Sequence, residues 1–396
     1  MIHAITLILT LLALLGIGAT IAPFIQACAC TARLNRALPR AVHRPTAAVL
    51  IPAHDEEEGI ETVLEEIQRQ LRDGDRLVVI ADNCADGTAA RAARRGAEVV
   101  VRDDANRQGK GFALAAGLEY LAAAPPEVVV FIDADGRLSP DGVEALSRTC
   151  AALNAPIQCR YLMLAGPSAS ARLRLAEFVW RIKNELRPHG YARLGLPCQL
   201  MGSGMALPWR LIDPTVFATG HVTEDVRIGL DYATQGFSPR FLHEVTVVSQ
   251  FPQKRSGQKG QKKRWMHGHL ALMASHAPRL IWLALCRADV GLLAMSADIL
   301  TPPLTLLVMF NALALALATV LDALSGGALP LLLALCANGL LGLSLLIAWG
   351  LYGRDIVGLN ELMLAPRHML DAVRIGVSFV KGDRSAWVRA ERTKSN

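Results

Sequence analysis

Asp133 and Asp135 follow the apolar run VVVFI at 128–132. Residues two apart on an extended chain point the same way, so both carboxylates can address one cation. A hard divalent ion, Mg2+ or Mn2+, prefers such oxygen donors and fills the rest of its shell with phosphates and waters. A solvated turn explains an isolated Asp-x-Asp equally well; the buried run in front of this one favours the metal. Two more acidic segments end short apolar runs, PAHDEE at 52–57 and ADNCADGT at 81–88. Acidic loops suit a phosphate ligand only when a cation sits between the two. The chain has no GxxxxGK[ST] loop and no GxGxxG after its first such run, so ATPase and dinucleotide sites lose their main support.

The elements that must hold these loops alternate in kind. TAAVLIPA, RLVVIAD, AEVVVRD and EVVVFIDAD read as strands, and IETVLEEIQRQLRD, TAARAARRG and GKGFALAAGLEYLAAA between them read as helices. That alternation predicts a parallel sheet wrapped by helices, an α/β fold in which ligands gather beyond the C-terminal ends of the strands. All three acidic segments fall at such ends.

The rest of the chain has another character. Of 396 residues 52% are hydrophobic and 19% charged, an apolar excess larger than one or two globular cores carry, so part of it must face lipid. Residues 5–25 contain no charge and are long enough to cross a bilayer; without positive charges ahead of them they read as an anchor rather than a signal peptide. Residues 290–321, interrupted by Pro302 and Pro303, and 329–352 are two further candidates. No Lys or Arg lies between Arg287 and Arg354, whereas Arg33, Arg36, Arg40 and Arg44 follow the first segment and Lys381, Arg384, Arg389, Arg392 and Lys394 crowd the tail. The positive-inside rule then puts the central region and the C-terminus in the cytoplasm, with about three transmembrane helices. Residues 267–286 and 362–380 mix apolar positions with His and Arg and read as amphipathic interfacial helices. The expected organisation is a transmembrane helix over 1–30, a cytoplasmic domain over 45–266, an interfacial helix over 267–287, two transmembrane helices over 288–352, and an interfacial helix with a basic tail over 353–396.

The net charge of +6 gathers at membrane edges with sparse aromatic interleaving, which argues against nucleic acid as a partner. The eight cysteines form no CxxC pair and read as reduced, small apolar fillers.

Taken in order, PAHDEE, DNCADGT, NRQGKGFAL, DAD, GSGMA, TED and QxxRW across 45–265 resemble the membrane-bound members of glycosyltransferase family 2, which are similar to cellulose and hyaluronan synthases and exopolysaccharide glycosyltransferases. Each motif alone is weak; seven in register are specific. The resemblance implies a GT-A domain, a Rossmann-like nucleotide-diphospho-sugar transferase fold. It also implies an NDP-sugar donor, usually a UDP-sugar, and transfer with inversion to a growing exopolysaccharide or a polyprenyl-linked saccharide. Such an enzyme would sit as a multi-pass protein in the inner membrane, with polysaccharide export components as partners.

By the same likeness Ala53, Asp55, Glu56 and Asp82 would line the nucleoside pocket, and Lys110 would stand beside the nucleotide, where Gly109 and Gly111 let the backbone approach. Asp133 would face the nucleotide, and Asp135 would hold the Mg2+ or Mn2+ on the diphosphate. Gly202, Ser203 and Gly204 would lie under the acceptor sugar. In the pair Glu224 and Asp225 the aspartate would be the general base. From Gln261, Arg264 and Trp265 the arginine would pair with diphosphate and the tryptophan would stack on the acceptor.

Plainer readings exist for several of these. Asp55 and Glu56, like Glu224 and Asp225, suit a helix start, where the dipole favours acids. Lys110 could be a solvated lysine in a Gly-rich turn. Lys262, Lys263, Arg264 and Trp265 could be a juxtamembrane anchor. Arg160, Arg181, Lys183, Arg187 and His189 have no assigned role. A membrane nucleotidyltransferase would leave TED and QxxRW without a job. A catalytically inactive GT-A partner subunit would lack at least one acid, whereas Asp82, Asp133, Asp135 and Asp225 are all present. QxxRW favours polymer extension, whereas three crossings are few for a polymer channel and favour a non-processive transferase acting on a lipid-linked acceptor; the sequence does not separate the two.

Overall fold

The computed structural model describes residues 2–32, 37–220, 223–252, 255–326 and 328–363. In chain order the elements begin with α1 (Ile2–Thr31), β1 (Ala47–Ala53), α2 (Ile60–Gln68), β2 (Arg76–Asp82), α3 (Thr88–Arg94), β3 (Glu98–Arg102), α4 (Lys110–Leu121) and β4 (Val128–Phe131). They continue with β5 (Arg137–Leu138), α5 (Gly142–Leu153), β6 (Ile157–Leu164), α6 (Ala171–Arg181), a π-helical turn (Ile182–Leu186) and α7 (Arg187–Arg193). Next come β7 (Met205–Pro208), α8 (Pro214–Phe217), α9 (Glu224–Thr234) and β8 (Arg240–Gln250). Five helices follow: α10 (Arg255–Arg287), α11 (Val290–Leu300), α12 (Leu304–Ser325), α13 (Ala328–Tyr352) and α14 (Leu359–Met363).

The chain divides into two compact units. One, built from Arg36–Gly166 and Pro197–Gly268, carries all the strands in a single sheet of order β3-β2-β1-β4-β7-β6-β8-β5. β1 pairs in parallel with β2 and β4, and β2 with β3, as the alternation predicts. β7 runs antiparallel to both β4 and β6. The central runs AAVLIPA and VVVF are apolar on both faces because helices cover both sides. Leu50, Ile80, Leu114, Leu118, Phe131 and Phe217 meet in the resulting core. Gly117 is what lets α4 sit so close to the sheet: a Cβ there would stand 2.7 Å from the terminal carbons of both Ile80 and Leu50.

The second unit gathers α1, the excursion Pro167–Leu196 and the helices from His269 onward. Helices α1, α12 and α13, of 30, 22 and 25 residues, are long and apolar enough to cross a membrane. They meet through small residues, with Ala13, Ala318 and Ala334 buried together, while Leu7, Leu15, Leu313 and Leu332 stay exposed. The crossing expected over 290–321 is two helices. Pro302 and Pro303 offer no backbone N–H, so α11 ends before them and α12 starts after them. With 11 residues, α11 reaches about 17 Å at 1.5 Å per residue, short of a hydrocarbon core.

The segment expected from 267 is the second half of α10, which begins at Arg255. Arg33, Arg36, the second interfacial helix over 362–380 and the basic tail lie wholly or largely outside the described residues.

Arg181, Lys183, Arg187 and His189, unassigned by sequence, belong to the excursion. Arg187 donates to Asp298 at 2.6 Å and to Gln26 at 3.1 Å, and Gln26 donates to Asp298 at 2.7 Å. His189 meets the Tyr352 hydroxyl at 2.8 Å. Polar side chains among apolar helices must find partners, and these tie α7 to α1, α11 and α13.

Candidate active site

Because β1 to β4 run parallel, their C-terminal ends share one edge of the sheet. Ala53 closes β1, Asp82 closes β2, Arg102 closes β3, and Asp133 lies two residues past β4. Register places Arg102 beside Asp82, and its guanidinium donates to the buried Asp82 carboxylate at 2.6 Å. Asn83 adds a second donor at 3.0 Å, and His54 Nδ1 lies 2.7 Å from the Asp82 carbonyl. Asp82 and Asp133 thus follow strands two spacings apart, about 10 Å laterally at ordinary strand spacing.

The first two loops are laced together. Asp55, in a left-handed conformation at φ 51, accepts from the Ala85 N–H at 2.7 Å. The Glu56 N–H donates to Thr88 at 2.8 Å, the Glu57 N–H to Asp86 at 3.2 Å, and the Gly87 N–H to Glu57 at 2.8 Å. Among the described residues Asp55, Cys84 and Asp86 are a group of three whose ligand atoms lie within 4.8 Å of one another. The Asp55 and Asp86 carboxylates accept the hydrogen bonds that hold these loops, and burial raises the Cys84 thiol above its ordinary pKa.

The densest convergence is around Asp133. Lys110, the first residue of α4 after Gly109 at φ 126, forms an ion pair with Asp133 Oδ1 and donates to the Gly202 carbonyl at 2.7 Å. Gly111 lets the helix start this close, since a Cβ there would collide with the carbonyls of Phe217 and Thr219. The Asp133 N–H donates to the buried Ser203 hydroxyl at 3.0 Å, and Tyr161, itself contacted by Ser249 at 3.3 Å, donates to Asp133 Oδ2 at 3.4 Å. Gly202 has φ +82, and a Cβ on it would stand 3.0 Å from Asp225 Oδ2 and 3.3 Å from Lys110 Nζ. Lys110, Asp133, the 202–204 turn and Asp225 therefore surround one place.

The extended chain expected through 133–135 is a turn, closed by the Gly136 N–H on the Asp133 carbonyl at 2.8 Å. Strand alternation therefore does not set the direction of the two carboxylates. Both remain half-buried at the sheet edge. Their donor set suits a hard divalent ion, being carboxylate oxygen with no thiol, and two such groups leave most of a six-ligand shell for diphosphate and water.

Charge balance follows from this crowding. Burial works against the Lys110 ammonium, but Asp133, Glu224 and Asp225 outweigh it and hold the pKa above its ordinary value. Glu224, at the start of α9, is pushed up to about 7, first by burial and then by the neighbouring Asp225.

Gln261, Arg264 and Trp265 lie on α10 at helical spacing i, i+3 and i+4, and Gly268 continues the same face at i+7. A Cβ on Gly268 would stand 2.6 Å from Thr223, the residue before Glu224. This face of α10 therefore runs past the N-terminus of α9, and burial lowers the Arg264 pKa.

Arg102, Gln158, Tyr161 and Ser249 were not foreseen, and Glu57 entered only as part of the PAHDEE segment. Their contacts are made across strands and loops far apart in sequence.

Residues 128–349, more than half the chain, match the family described as glycosyl transferase family group 2, and residues 48–186 match glycosyl transferase family 2. The glucosyl-3-phosphoglycerate synthases of Mycolicibacterium paratuberculosis and Mycobacterium tuberculosis are 41% and 42% identical over 97 residues, 23% of this chain. The match spans 28% and 29% of those relatives' lengths, less than a third of each. A solved mannosyltransferase from Pyrobaculum calidifontis, in complex with GDP-Man and Mn2+, superposes with a TM-score of 0.59 at 17% identity. That superposition covers 97% of this chain and 100% of the other, and it shows the fold, a GT-A architecture. With its matched segment, its sheet order and its motifs in agreement, the chain belongs to glycosyl transferase family group 2.

Proposed function

We propose that this protein is a metal-dependent, inverting hexosyltransferase of the inner membrane. It takes a cytoplasmic NDP-sugar, a UDP-sugar first among them, and extends a polyprenyl-linked saccharide or a growing exopolysaccharide. The observation that carries this reading is the convergence of Lys110, Asp133, Gly202 and Asp225 at the C-terminal edge of the parallel strands. The three apolar helices support the membrane anchor.

In this reading the nucleoside lies by Asp82 and Arg102, and the diphosphate reaches along the edge toward Asp133 and Asp135. The spacing of about two strand widths suits that length. Asp135 and Asp133 would hold the Mg2+ or Mn2+, which when bound would supply positive charge beside the departing diphosphate. Lys110 keeps Asp133 oriented and adds positive charge beside the same phosphates. Asp225 takes the proton of the acceptor hydroxyl as that oxygen attacks the anomeric carbon from the face opposite the leaving group. Gly202 lets Asp225 and Lys110 come close to the turn, where a side chain would push both aside. Arg264 pairs with diphosphate and Trp265 stacks on the acceptor sugar.

Purified full-length protein in detergent, given a panel of NDP-sugars with Mg2+ or Mn2+ and lipid-linked or oligosaccharide acceptors, tests this. Acceptor-dependent release of nucleoside diphosphate is expected from one donor, with product size separating one addition from many. Pyrophosphate release, or no release from any donor, would contradict it.

A further inference from the structure

The turn 201–204 touches every member of the central cluster, yet its two glycines at positive φ make it intrinsically loose. Backbone bonds from the Gly204 N–H to the Phe131 carbonyl and from the Cys159 N–H to the Gly204 carbonyl, both at 2.9 Å, fix its far end, and one buried side chain ties that end to its start. Gln158, on β6 and fully buried, accepts from the Met201 N–H through Oε1 at 2.7 Å. Its Nε2 donates to the Ser203 carbonyl at 2.7 Å, with the Cys159 carbonyl at 2.9 Å and the Gly204 carbonyl at 3.4 Å also in reach. A single amide thereby grips both ends of the turn. Gly204 completes the seat, because a Cβ there would collide with the Cys159 sulfur.

What the turn does next gives this grip a functional reach. The Gly202 carbonyl accepts from Lys110 at 2.7 Å, and the Ser203 hydroxyl accepts from the Asp133 N–H at 3.0 Å. Shifting the turn by a fraction of an ångström would move the partner of Lys110, the partner of Asp133 and the close approach of Gly202 to Asp225 together. We infer that Gln158 is a positioning residue for sugar transfer, a buried clamp that sets the turn and through it the geometry of Lys110, Asp133 and Asp225. This rests on the transferase reading given above. Outer-shell residues of this kind typically change activity by about 10–100-fold when removed. A glutamine that merely fills the core would affect folding instead.

The test uses the full-length protein with Gln158→Ala and Gln158→Glu. The second keeps the shape and the acceptor toward Met201 but loses the amide donor to the Ser203 carbonyl. We expect kcat to fall at least about tenfold in both, with KM for the NDP-sugar changing by a smaller factor than kcat, because Asp133 is reached through the turn whereas Asp82 and Arg102 at the nucleoside end are not. Hydrogen exchange of the peptide spanning 198–206 should speed up while the remainder of the sheet keeps its protection. Unchanged kcat in Gln158→Glu, or kcat losses that only track the folded fraction, would overturn the clamp. If the wild-type protein proves to transfer no sugar, the transferase reading fails, and the exchange measurement still decides: unaltered exchange across 198–206 refutes the clamp on its own.

Discussion

The Lys110 ammonium spans the gap between the start of α4 and the Gly202 carbonyl, 2.7 Å away, while pairing with Asp133. A residue expected beside the nucleotide, with a solvated lysine as the plainer reading, is the tie between two motifs 92 positions apart. Replacing it with methionine keeps the stem and removes the charge. Lys110→Met should lower kcat by about 100-fold, the loss of roughly 3 kcal/mol that removing a buried charge-assisted contact typically costs. Steady-state kinetics on folded protein checks this, and a loss under threefold would return Lys110 to the solvent.

Glu224 supplies a pH signature. Its pKa is raised from 4.5 to about 7 by burial and Asp225, so the folded protein holds a proton there that the unfolded chain has released. Stability from this group is therefore full below 4.5 and falls as pH rises toward about 7, where it levels off. Thermal midpoints across that window should show the decline, and Glu224→Gln should flatten it. A slope equal to wild type in the variant would mean that another group is responsible.

In the proposed reading Asp135 holds the metal. With Mn2+ present, Asp135→Asn should weaken nucleoside diphosphate binding by about tenfold, the scale on which one metal-shell contact matters. With the metal chelated, mutant and wild type should bind alike. Calorimetric titration with and without chelator distinguishes the two, and equal weakening in both conditions would remove Asp135 from the metal.

Gly268 sits against Thr223 with no room for a side chain. Gly268→Val would overpack this contact at a cost of about 1–3 kcal/mol and move the N-terminus of α9. The thermal midpoint and kcat should both drop. Wild-type activity and stability in the variant would show that α10 and Thr223 do not pack this way.

Much of the sheet was legible because buried parallel strands announce themselves. AAVLIPA, RLVVIAD, EVVVR and VVVF needed only their apolar continuity and the helices between them. The site was legible where motif and strand end coincide, as at Asp82 and Asp133. It was not legible where a single long-range hydrogen bond decides the geometry. The turn at 133–136 breaks the strand alternation that seemed to aim both aspartates, and Gln158 reaches a loop 43 residues away with no periodic signal. Likewise, the prolines at 302 and 303 marked an interruption, but only the helix lengths showed that it separates a helix long enough to cross a membrane from a short one.

The central claim is that Asp225 is the base of a sugar transfer occurring beside Lys110 and Asp133. Comparing wild type with Asp225→Asn, using the donor found active and an acceptor, tests it most directly. Acceptor-dependent nucleoside diphosphate release should fall by at least about 1,000-fold, given the 100–10,000-fold that a general base typically contributes, while donor binding stays within about threefold. Retention of near wild-type turnover in Asp225→Asn would contradict the account.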